Sequence, residues 1–174
     1  MAQPTEEQLK LLIELYQSGK LDEAESQAHA LLKQFPDNLT CLNILGVVLD
    51  AKGKTEDAIK VYQNALQINE NSAETHFNMG SILHRLGRSN EARVSYEKAI
   101  SIKSDFLNAY FNLGLVYQNL QDNKKAIESY EKAIELKPDF HEAIGAMGTA
   151  LQAQGELDEA IENYKKALSI SSDA

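Results

Sequence analysis

Small and bulky apolar positions return along this chain on a fixed beat of 34 residues, with glycine at Gly46, Gly80, Gly114 and Gly148. Around Gly114 the pattern is easiest to see. Tyr110, Leu113, Gly114 and Tyr117 follow one another at helical spacings of three and four, so they share one face of a predicted helix. Gln121-Asp122-Asn123 breaks it. A second stripe follows, made of Ala126, Ile127, Tyr130, Ala133 and Ile134. Lys137-Pro138-Asp139 ends that helix, because proline lacks the N–H that would continue the ladder. The product is a helix-turn-helix hairpin.

The other stretches repeat this grammar. Ala-x-x-x-Tyr stands in the second helix at Ala58/Tyr62, Ala92/Tyr96, Ala126/Tyr130 and Ala160/Tyr164, and Ala65, Ala99, Ala133 and Ala167 follow. Glycine and alanine let two helices approach closely while the tyrosine fills the space beside them. Cutting from Thr5 gives five units, 5–38, 39–72, 73–106, 107–140 and 141–174, read as one continuous domain. The turns carry Gly19, Gly53, Gly87 and Gly155, where a positive φ closes the first helix. Thr5 and Gln8 have the spacing of a capping box. Acids open most second helices (Asp22/Glu23, Glu56/Asp57, Glu91, Asp158/Glu159) and lysines gather later, as the helix dipole favours. Lys124/Lys125 breaks that order.

Leu113, Gly114, Tyr117, Ala126, Tyr130 and Pro138, with Tyr110 in the tryptophan place, resemble the tetratricopeptide repeat family, and the likeness runs over essentially the whole chain. The resemblance implies an all-α fold, a right-handed superhelix or α-solenoid of five hairpins whose first helices line a concave groove. The first unit departs from the pattern, with Leu12 for the glycine and Ala28 for the tyrosine, as a terminal repeat is expected to. Members of the family commonly end in an extra polar helix. Here Ile161, Tyr164 and Leu168 are expected to lack a covering neighbour, so the chain reads as the N-terminal part of a longer protein, or as one that self-associates through that end.

Net charge changes the choice of partner. It is −9, against a strongly basic face for a nucleic-acid binder or a membrane-surface protein. There is no apolar run long enough to span a bilayer and no signal-peptide pattern at Met1–Glu7, which predicts a cytoplasmic protein. The single Cys41 agrees and falls in a small-residue packing place. No phosphate loop, HExxH or CxxC spacing occurs, and the four histidines lie apart, so no catalytic residue, metal or cofactor is expected. His76 replaces Tyr110 in an aromatic packing place.

By the resemblance, the groove residues are Asn43, Phe77, Asn78, Ser81, His84, Arg85, Asn108, Phe111, Asn112, Leu115, Gln118 and Asn119. Leu9, Ile13, Tyr16, Val47 and Asp50 map to the same face, as do Glu142, Thr149 and Gln152. Aromatics supply contact area and amides can grip a peptide main chain. Asn78 and Asn112 resemble two rungs of the asparagine ladder in O-linked N-acetylglucosamine transferases, or are locally bonded. Phe77 and Phe111 face the groove or pack between adjacent first helices. A carboxylate clamp is disfavoured, because Arg85 is the one arginine on this face. The function expected is a non-catalytic scaffold for a protein or peptide segment. The alternative is a targeting module for a glycosyltransferase, sulfotransferase or dioxygenase.

Overall fold

The computed structural model describes residues 3–172, and these form ten α-helices and no strand. They are α1 (Glu6–Gln17), α2 (Leu21–Gln34), α3 (Leu39–Ala51), α4 (Thr55–Ile68), α5 (Ala73–Arg85), α6 (Ser89–Ile102), α7 (Leu107–Asn119), α8 (Asn123–Leu136), α9 (His141–Gln154) and α10 (Leu157–Ser172). Two compact units result, one ending at Ile82 and one beginning at Leu83. In the first, α1 packs on α2, α2 on α3 and α3 on α4, and α1 also touches α3. In the second, α6 through α10 pack in succession, and α7 touches α9. Within each unit, then, the first helices of successive hairpins are neighbours.

The recurring glycine has a steric cause. A Cβ on Gly46 would lie 2.4 Å from Cε1 of Tyr62, and one on Gly114 would lie 2.4 Å from Cε1 of Tyr130. The tyrosine ring lies directly on the helix backbone where a side chain would otherwise stand. Both rings are fully buried. The first hairpin solves the same problem with the sizes exchanged: Leu12 replaces the glycine, Ala28 replaces the tyrosine, and both are 0% exposed. In the last hairpin Tyr164 also lies over its glycine, 2.9 Å from a Cβ on Gly148, and its hydroxyl donates to Gln152 Oε1 at 3.0 Å. Tyr164 is thus half-buried against its own hairpin, while Ile161 and Leu168 are exposed.

The helix ends follow local rules. Thr5 and Gln8 form the reciprocal capping box, with Thr5 N donating to Gln8 Oε1 at 2.8 Å and Gln8 N to Thr5 Oγ1 at 3.2 Å. The fourth hairpin turns without glycine, on Gln121 at φ 61°. Its second helix also explains the misplaced lysines. Asp122 caps α8, accepting from Lys125 N at 3.3 Å, and its other oxygen pairs with Lys125 Nζ at 3.0 Å. The acid has moved one step outward, from the first turn to the cap.

An ion network ties α2 to the end of α3. Lys52 Nζ bonds Asp22 and Glu25, and Lys54 Nζ reaches Glu25 Oε1 at 2.8 Å. Asp22 is exposed and adds little, but Glu25 is mostly covered. Lys52 and then Lys54 hold its carboxyl at about 2, far below the usual carboxylate range. A pKa depressed by folding stabilises fully above the unfolded value, and that stabilisation fades as pH falls toward the folded one. The protein is expected to lose ~1–2 kcal/mol between roughly pH 5 and pH 2 through this group. Urea unfolding of Glu25→Gln across that range should show a smaller acid-induced loss than the parent; identical slopes would rule the network out as its source.

Candidate peptide-binding face

On the first compact unit, the faces of α1, α3 and α5 enclose an open pocket of about 470 Å³. Tyr16, Leu39, Ile44 and Val47 form its apolar wall. Asn43, Asn71, Glu74 and Asn78 stand around its rim. Asn43 Oδ1 lies 2.9 Å from the Thr75 hydroxyl, which also stands 2.7 Å from Ser72 Oγ. The Nδ2 group of Asn43 is unspent. Among the described residues the side chains of Asn78 and Glu74 have no hydrogen-bond partner. Both asparagines are half-buried, so their amides are held in place yet can still bond a ligand.

Why a pocket forms here can be read from the fourth hairpin. There Phe111 stacks on Phe140 with ring centroids 5.0 Å apart, and on Tyr130 at 6.0 Å. The positions equivalent to Phe111 and Phe140, one repeat pair earlier, are Asn43 and Ser72. Two aromatic side chains are replaced by two small polar ones, and space opens where rings would sit. Phe111 thus packs on the second helix of its own hairpin and on the entry to α9.

The remaining predicted residues are placed as follows. Phe77 and Ser81 are half-buried on α5, with Ser81 Oγ donating to the Phe77 carbonyl at 3.0 Å. In the second unit, Asn112 Nδ2 donates to the Tyr96 hydroxyl at 3.3 Å, so part of its amide is used locally. The Tyr130 hydroxyl donates to Gln118 Oε1. Asn119 Nδ2 and His84 Nε2 lie 2.9 Å apart, which requires the imidazole nitrogen to accept. Burial lowers the His84 pKa, which favours the neutral imidazole that can accept such a bond. Leu115 is half-buried, and Asn108 and Arg85 are exposed. The structure therefore joins Asn43 with Asn78 around one cavity and His84 with Asn119 in one bond. Leu39, Asn71 and Glu74 were not anticipated; the signal for them was the coincidence of Asn43 and Ser72 at paired aromatic places.

His76 Nε2 donates to the Glu70 carbonyl at 2.9 Å. Burial pushes the Cys41 thiol up to about 11. Among the described residues no three His, Cys, Asp or Glu side chains are grouped to hold a metal ion, and no helix is long and apolar enough to cross a membrane.

Comparison with known proteins fits this architecture. Family models described as TPR repeat match residues 46–87 and 80–121, and others described as Tetratricopeptide repeat match 107–140 and 129–162. The chain belongs to the tetratricopeptide repeat family. Among solved structures, this repeat protein is similar to MamA, at 32% identity over 92% of this chain and 94% of that one, with a TM-score of 0.84. It shares its fold with PilF of Pseudomonas aeruginosa at 22% identity, covering 93% of this chain and 74% of that one, TM-score 0.86. It also shares its fold with YrrB at 19% identity, covering 95% and 86%, TM-score 0.79; that structure is titled as a TPR protein with an unusual peptide-binding site. No curated protein matches the sequence.

Proposed function

We propose that this repeat scaffold is a non-catalytic protein-interaction module that holds an extended segment of a partner along the exposed face of its first helices. The observation that carries this reading is the pocket between α1, α3 and α5, where the amides of Asn43 and Asn78 keep unspent hydrogen-bonding capacity beside an apolar wall. A peptide main chain offers alternating N–H and C=O groups, and an asparagine amide can bond both. Apolar side chains of the segment gain by leaving water against Leu39, Ile44 and Val47. The peptide site named for the similarly folded YrrB supports the same use of this fold.

Asn78→Ala is the cleanest test, because the side chain has no bond within the described protein to lose. With a partner captured from the source cell and purified, the substitution is expected to weaken binding ~5–10-fold, as for one or two hydrogen bonds. Calorimetric titration measures it. An affinity left unchanged by Asn78→Ala and Asn43→Ala together would reject the face.

A further inference from the structure

We infer that the pocket beside Asn43 is an anchor for an aromatic side chain of the partner, and that a lysine or arginine lies next to that residue in the bound segment. This deepens the reading above and rests on it.

The fold itself supplies the template for the ring. In the fourth hairpin the pair Phe111 and Phe140 fills this place, at 5.0 Å between centroids. The third hairpin also has phenylalanine at both places, Phe77 and Phe106. In the second hairpin Asn43 and Ser72 stand there, and 470 Å³ is left open. That volume lies within the ordinary range of ligand pockets and holds a ring with a short run of backbone. Tyr16 stands in its wall, where edge-to-face contact with a guest ring adds to the area buried. The amides of Asn43 and Asn78 fix the main chain that carries the ring.

Charge sets the flanking residue. Glu74 is the one ionisable carboxylate lining the pocket, exposed and without an ion-pair partner among the described residues. No lysine or arginine lines the pocket to offset it, and the whole chain carries −9. An acidic segment would be repelled, while a cation beside the ring meets Glu74 at the rim.

The test uses a displayed library of random heptapeptides, selected on the 174-residue chain and on its Asn43→Phe variant. Phenylalanine already occupies the equivalent place in two other hairpins, and Thr75 keeps Ser72 Oγ at 2.7 Å, so the variant is expected to fold, as circular dichroism will show. The parent is expected to enrich peptides with an aromatic residue beside lysine or arginine. Fluorescence anisotropy of an enriched peptide should show ~10-fold or greater loss with Asn43→Phe, which fills the pocket from within. Glu74→Lys, on the exposed rim, provides a second readout independent of packing: ~3–10-fold weaker binding and a smaller dependence on salt. Enriched peptides that lack a bulky side chain, prefer acids, or bind Asn43→Phe as tightly as the parent would overturn the inference, while a loss on Asn78→Ala would keep the groove reading alive. A parent that retains no peptide at all would sink both.

Discussion

Gly114→Ala is expected to destabilise the protein by ~2–3 kcal/mol, although the same exchange at an open helical position stabilises by roughly 0.5–1 kcal/mol. The added Cβ would stand 2.4, 2.7 and 2.8 Å from Cε1, Cδ1 and Cζ of Tyr130. That ring cannot swing away. It is 0% exposed, its hydroxyl bonds Gln118, and Phe111 lies 6.0 Å off. Relief must come from spreading α7 from α8, which opens contacts along the whole hairpin. Gly46→Ala should behave alike, with Tyr62 Cε1 at 2.4 Å, whereas Gly148→Ala should cost less because Tyr164 is only half-buried. Urea unfolding of the three variants gives the ranking. The pair Gly114→Ala with Tyr130→Leu should lose less than the sum of the two changes; simple additivity would mean the ring was never the obstacle.

The exchanged sizes in the first hairpin lead to a larger and more diagnostic effect. Leu12→Gly removes a fully buried leucine and places glycine inside α1, for an expected loss of ~3–5 kcal/mol. Ala28→Tyr drives a ring against Leu12, at an expected ~3 kcal/mol. Made together, they recreate the glycine and tyrosine pairing seen later in the chain at Gly46/Tyr62, Gly114/Tyr130 and Gly148/Tyr164. The double variant is expected within ~1–2 kcal/mol of the parent, a coupling of several kcal/mol. Two losses that merely add would show that Leu12 and Ala28 do not fill one another's space.

That complementarity illustrates how far the residues alone could be read. The spacing of Gly114, Ala126 and Tyr130 implied close helices, because small side chains on one stripe have few other uses. It did not say that the ring lies on the glycine itself, since that depends on the crossing point of α7 and α8. Lys124 and Lys125 were unaccountable from dipole arguments because the compensating acid, Asp122, sits at the cap, one position before the turn where acids usually gather. On the face of the first helices, register alone places Asn43 and Asn78, which line one cavity. It could not orient Phe111, whose contacts with Phe140 and Tyr130 come from a different helix and its exit loop. The pocket itself escaped notice because it is made by what Asn43 and Ser72 fail to occupy, and a hydrophobic pattern records side chains that are there.

The chain has one thiol, at Cys41 in α3, 0% exposed and with its proton held to about 11. A thiol-selective reagent needs the thiolate and a path to it, so it waits for α3 to come loose. Its rate of uptake is then a clock for the breathing of the unit that ends at Ile82. Helices α6 to α10 carry no cysteine and leave that clock silent. The protein thus comes with a site-selective timer for the very helices that wall its pocket.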